Sequence, residues 1–434
     1  MVAKETPMKA YSYQPIYQKT VLDNGVRVVT ESHPFTRAVS VGIFVDVGTR
    51  DENPKKAGMT HFLEHLVFKG TRKRTALELA KVLEAVGGDL NAYTSREYTC
   101  FHATSLKEHL SLSLDVVTDL VTSASLAKED FLKEREVILQ EIDMSKDTLD
   151  EYILDEYLEK AFAGHPLATS ILGTPETLGA LKRHDVVKHY QDGFRGPRIV
   201  VSVAGPMEHD QVLSYVKKSL GKLKKRSKAF PRKAPRVKRV QEFIHRPSEQ
   251  VHLLVGFPSC SYKSPTRFDS YVVSEILCGG VTSRMYQKIR EDKGLVYSVY
   301  SFLQSFIDSG LFLVYAGTSP KNALGVLKGI RGEFEKFLEK GVKESELESF
   351  KTQLKGQILL GAEDMENRMN SLGVNELVFG GYRPVDQVIK EIDEVSVKSV
   401  NAYLSKYFDM KNISLMIMGD LEPAQALKLM EVME

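Results

Sequence analysis

At 434 residues the chain exceeds one ordinary hydrophobic core and suits two domains of about 200 residues each. Its 42% hydrophobic and 27% charged residues are those of a globular protein, and a formal net charge of +2 offers no global field for nucleic acid or a membrane surface. No run approaches the roughly 20 apolar residues that cross a bilayer.

The opening "MVAKETPMKAYSYQPIYQ" has neither an apolar h-region nor an arginine-rich amphipathic pattern, so no secretory or mitochondrial address is expected. "TVLDNGVRVVTES" (20–32) predicts two short strands around the turn Asp23-Asn24-Gly25. "AVSVGIFVDVGTRDE" (38–52) reads as a buried strand, and residues 58–70 and 75–86 follow with helical spacing. "GGDLNAYTSREYTCFHATS" (87–105) predicts two more strands, long helical patterns fill 106–163, and "PRIVVSVAGPM" (197–207) is again an apolar strand. This mixture lacks regular βαβ alternation and predicts an α+β fold, a mainly antiparallel sheet with helices on one face. Cys100, Cys260 and Cys278 form no CxxC pair and fit a reducing, cytoplasmic setting.

Residues 222–239, "KLKKRSKAFPRKAPRVKR", hold ten Lys or Arg, two prolines and no acid. They read as an extended linker between domains at 15–221 and 240–434. The alternative, a patch for an anionic partner, lacks the stacking aromatics that nucleic acid would require. One offset of 214 superposes Val186 on Val400, Phe194 on Phe408, Ile199 on Ile413 and Gly205 on Gly419. Two copies of one fold are therefore expected.

Within "GMTHFLEHLVFKGT" (58–71), His61 and His65 stand one helical turn apart on one face, with Glu64 beside them. Two imidazoles so placed can share a metal ion, and a neighbouring carboxylate can take a proton from water. The plain alternative is a pair of satisfied core histidines. A catalytic zinc site needs a third protein ligand. The helical run 130–147 offers Glu134, Glu136 and Glu141, of which Glu134 and Glu141 share a face with Ile138. A solvated helix surface would look the same.

The H-x-x-E-H spacing is the inverted form of a zincin motif, and the chain resembles the M16 family of zinc metallopeptidases. The resemblance rests on His61, Glu64 and His65, on Glu141 within "EREVILQEI", on "GGDLNAYTSREYT", and on "GGVTSRMYQKIREDKGLVYSVYS" (279–301). It implies one Zn²⁺ per chain held by His61, His65 and Glu141, with Glu64 as general base and Glu134 supporting the site. It further implies a peptide or unfolded polypeptide as substrate, added as a strand beside Asn91 and Ala92 and held by Arg290 and Tyr297. Two domains, against four in the longest members, resemble the short bacterial processing-peptidase-like members that work as homodimers. The competing expectation is a catalytically inactive assembly subunit of the same fold, which would lose parts of the motif.

Overall fold

The computed structural model describes residues 15–226 and 230–434. Most of the N-terminal stretch read for a targeting address, and residues 227–229 of the basic segment, lie outside the described residues.

The first half runs β1 (Ile16–Val21), β2 (Arg27–Ser32), β3 (Ala38–Val45), α1 (Met59–Val67), α2 (Ala76–Glu84), β4 (Asp89–Thr94), β5 (Thr99–Leu106), α3 (Leu110–Ser123), α4 (Lys128–Asp147), α5 (Leu149–Ala161), α6 (Pro175–Ala180), α7 (Arg183–Gly193), β6 (Ile199–Gly205) and α8 (His209–Leu220). The second runs β7 (Gln241–His245), β8 (Val251–Ser259), α9 (Arg267–Cys278), a π-helical turn (Tyr286–Glu291), β9 (Ser298–Ser305), β10 (Gly310–Thr318), α10 (Ala323–Lys340), α11 (Glu344–Gly361), α12 (Met365–Phe379), α13 (Val385–Asp393), α14 (Val397–Tyr407), β11 (Ser414–Gly419) and α15 (Pro423–Glu431). Set side by side, the two series match element for element once β1 is set apart.

The sheets agree as well. Their orders are β1-β2-β6-β3-β5-β4 and β7-β11-β8-β10-β9, and in each the pair β2–β6 or β7–β11 is parallel while the other pairings are antiparallel. The offset of 214 holds in backbone detail. Phe194 (φ −87°, ψ 68°) and Phe408 (φ −95°, ψ 66°) end α7 and α14 alike. Gly205 and Gly419 close β6 and β11 at φ +141° and +155°, where a side chain would be strained. This is the duplicated α+β fold that the sequence predicts.

Local turns account for the strand limits. Gly25, at φ +90°, lets β1 and β2 close as a hairpin. The strand expected over 38–52 stops at Val45. Beyond it the chain folds into a short 3₁₀ turn at 49–51, with the Gly48 N–H donating to the Asp51 carboxylate.

Apart from α5 and α12, each half packs its helices on one face of its own sheet, over the larger cores. The opposite faces are covered reciprocally. Helix α12 lays Met365, Met369 and Leu372 on Val29, Phe44, Cys100 and Val200 of the first sheet. Helix α5, its counterpart, lays Ile153, Tyr157 and Leu158 on Leu254, Leu313 and Met416 of the second. A Cβ on Gly373 of α12 would stand 2.1 Å from the Phe44 ring, so only glycine permits this approach. Ion pairs fasten the exchange. Arg368 of α12 donates to both oxygens of Glu31, and Arg50 donates to Asp308 and Glu97.

The basic segment is tied down along part of its length. Arg232 pairs with Asp46 and Asp51, the Arg198 guanidinium lies 3.9 Å from the Phe230 ring centroid, and Lys233 offers its carbonyl to Arg50 and His165. Among the described residues no helix is long and apolar enough to cross a membrane. The three cysteines are free and buried.

Candidate metal centre

Helix α1 carries His61, Glu64 and His65 and is seated by its apolar face, with Phe62, Leu63, Leu66 and Val67 buried. Phe62 packs on Phe131 of α4 at 4.8 Å between ring centroids, which brings α1 against the helix that bears Glu134 and Glu141. The start of α1 is held by a buried carboxylate. Glu52 accepts the backbone N–H groups of Gly58 and Thr60, two donors that a helix N-terminus leaves unpaired. Its burial pushes the carboxyl up to about 7. Gly58 itself sits at φ +85°, and His189 bonds the Thr60 hydroxyl at 3.1 Å.

His61 Nε2 lies 3.7 Å from Glu141 Oε1, and His65 Nε2 lies 3.4 Å from Glu141 Oε2. One donor atom from each of the three residues falls within 4.8 Å of the others. Tetrahedral zinc with bonds of about 2.0–2.1 Å sets its ligands roughly 3.3 Å apart, and the two separations from Glu141, 3.7 and 3.4 Å, lie near that value. The chemistry of the donor set suits such an ion. Burial, reinforced by the neighbouring His65, drives His61 down to about 3, so its imidazole is neutral with a lone pair to give.

His65 Nδ1 faces Glu134 Oε2 at 3.2 Å, and Glu134 Oε1 receives Lys69 Nζ at 2.9 Å. Glu134 is buried on the face that also buries Ile138, whereas Glu136 is exposed. The carboxylate thus fixes the His65 ring with Nε2 turned towards Glu141. Among the described residues His61 has no such support, and its Nδ1 is buried without a hydrogen-bond partner.

Glu64 stands beside this cluster. Burial raises its carboxyl, while a hydrogen bond from Thr94 and the His65 charge oppose that rise. The Thr94 hydroxyl donates to Oε2 at 2.5 Å.

Asn91 and Ala92 lie on β4, the last strand of its sheet, whose outer edge has no strand partner among the described residues. Asn91 is exposed, and its side chain accepts the Ala92 N–H. Arg290 lies in the π-helical turn and Tyr297 just before β9, the edge strand of the other sheet. The guanidinium sits 4.7 and 5.7 Å from the Tyr286 and Tyr297 ring centroids, and Tyr297 is 81% exposed. Tyr297 is therefore no core aromatic. Among the described residues no hydrogen bond, ion pair or ring contact joins this pair to the His61–His65–Glu141 cluster.

Glu52, Lys69 and Thr94 did not emerge from the sequence. Strand alternation offers a signal only for Thr94, two positions after Ala92 and so on the same face of β4. In the second half, α9 occupies the place of α1 and contains no histidine.

Residues 27–175 match the family described as Insulinase (Peptidase family M16), and residues 180–354 match the Peptidase M16 inactive domain. An uncharacterised zinc protease of Streptomyces coelicolor is 37% identical over 95% of this chain and 91% of its own length. The uncharacterised zinc protease YmxG of Bacillus subtilis is 34% identical over 89% of this chain and 94% of its own. Among solved structures, a protease from Helicobacter pylori superposes with a TM-score of 0.87 at 22% identity, covering 93% of this chain and 100% of that one. At that identity the likeness speaks for the fold alone.

Proposed function

The chain belongs to peptidase family M16, and from that premise we propose that it is a zinc-dependent endopeptidase acting on peptides or unfolded protein segments in the bacterial cytoplasm. The observation that carries the reading is the convergence of His61, His65 and Glu141, with the Glu64 carboxylate alongside.

A zinc ion held by these three residues would supply Lewis acidity to the scissile carbonyl and the attacking water. Glu64 accepts the proton of that water and passes it to the leaving amine. Burial and the Thr94 hydrogen bond act on its carboxyl in opposite senses. Glu134, braced by Lys69, keeps His65 in its ligating orientation. Substrate adds along the outer edge of β4 at Asn91 and Ala92, where main-chain hydrogen bonds accept many sequences.

Arg290 and Tyr297 would steady the substrate from a second copy of the chain, in a homodimer whose two sites are each completed by the other subunit. Support for this comes from the exposure of Tyr297 and from the lack, among the described residues, of a hydrogen bond, ion pair or ring contact between the pair and the cluster. The inactive-subunit alternative is disfavoured by the presence of every ligand and the base.

Zinc analysis and cleavage of a quenched, unstructured peptide, with and without chelator, test the reading. His61→Ala, His65→Ala and Glu141→Ala should each lose zinc. Glu64→Gln should keep it while turnover falls by about 10² or more. A fully active Glu64→Gln, or wild-type protein that binds no zinc, would defeat the proposal.

A further inference from the structure

We propose that Thr94 is a positioning residue that sets the Glu64 carboxylate in register with the strand that receives substrate. The inference rests on Glu64 being the proton acceptor.

Alternation along β4 sends Leu90, Ala92 and Thr94 to the face covered by α1. Leu90 and Ala92 pack into the core there, and Thr94 places its hydroxyl on Glu64 Oε2. Glu64 Oε1 accepts no hydrogen bond among the described residues. A glutamate turns about three side-chain torsions, so one oxygen held by a fixed donor leaves the other pointed in one direction. The donor is itself stiff, because a β-branched side chain in a strand has few χ1 choices.

The turn that follows fixes where Thr94 sits. Ser95 N–H donates to the Tyr98 carbonyl, and Ser95 Oγ receives the N–H groups of Glu97 and Tyr98. Glu97 then accepts Arg50 at 2.6 Å and the Ile307 N–H of the second half at 2.9 Å. Thr94 is thus anchored from both halves of the chain. Asn91 and Ala92, where substrate would pair, precede it on the same strand. One strand thus carries both the substrate register and the donor that holds the base, which keeps the proton acceptor aligned with the bond to be cut.

The test compares Thr94→Val, which keeps the shape and removes the donor, with Thr94→Ser, which keeps the donor. Zinc affinity, thermal stability, kcat and KM are measured for each. In Thr94→Val kcat should fall about 10–100-fold, the size of a lost hydrogen bond to a charged group, with KM and zinc affinity within about two-fold of wild type. Thr94→Ser should restore most of kcat. In a Glu64→Gln background Thr94→Val should cost nothing further, because the group it positions is already gone. If Thr94→Val does not fold, Thr94→Ala takes its place in the same comparison.

Unchanged kcat in the donor-less variant overturns the inference. So does an equal loss of zinc affinity or KM, or a serine variant no better than valine. These outcomes separate from failure of the peptidase reading, which would show as wild-type protein without chelator-sensitive cleavage.

Discussion

Arg368→Met should cost about 3–5 kcal/mol at neutral pH, the range for removing one partner of a buried ion pair. Arg368 donates to the two Glu31 oxygens at 2.8 and 2.5 Å, and the two side chains are 7% and 0% exposed. His33 Nε2 stands 2.6 Å from the same carboxylate. Burial by itself pushes the Glu31 carboxyl up, but hydrogen bonds from His33 and Arg368 outweigh it and hold the group at about 2, against an ordinary 4.5. That displacement corresponds to about 3 kcal/mol. Because the folded value is depressed, this stability is present above pH 4.5 and is lost as pH falls through about 2. Urea denaturation at steps from pH 7 to pH 2.5 would measure it. Without Arg368 the desolvated carboxylate prefers its proton, so the variant should lose less stability than wild type on acidification. A paired Glu31→Leu/Arg368→Met variant should recover much of the loss, since a buried pair replaced by apolar groups is often neutral. A wild-type pH dependence in Arg368→Met, or a double variant as unstable as the single one, would refute the assignment of α12's anchorage to this pair.

Glu134→Gln should weaken zinc affinity by roughly 10–100-fold without abolishing it, and titration of zinc-free protein would check this. Glu64→Gln chains mixed with Arg290→Ala/Tyr297→Phe chains should regain activity on subunit exchange, because one site of the mixed dimer is intact; heterodimers that stay inactive in native mass spectrometry and peptide assays would defeat the shared site. Residues 15–226 expressed alone should bind a hydrophobic dye and aggregate, because the α12-covered face of the first sheet and the buried face of α5 are both uncovered. A monomer with native near-ultraviolet circular dichroism would contradict that expectation.

What was legible in the sequence follows the range of the interactions involved. His61, Glu64 and His65 were legible because a helical turn is a local rule that three letters can encode. Glu134 and Glu141 shared a face with Ile138 by the same rule, yet local spacing left them open to a solvated reading, and only the family resemblance singled them out. The duplication was legible where backbone geometry restricts the residue, at the caps Phe194 and Phe408 and at the positive-φ glycines Gly205 and Gly419.

The rest depends on contacts far apart in sequence. Glu31 and Arg368 are separated by 337 positions, and Arg50 and Asp308 by 258, so no period or motif links them. Helices α5 and α12 carry apolar faces like any helix of their own halves, and nothing local says that each covers the other half's sheet. That exchange has a mechanical consequence. Parting the halves would strip both roofs at once, exposing Tyr157 and Leu158 on one side and Phe44 and Met369 on the other, all at most 0% exposed in the fold. Each fully buried side chain of this kind contributes about 1.5–3 kcal/mol. Separation of the two halves is therefore opposed from both sides, by the cover α12 gives the first sheet and the cover α5 gives the second.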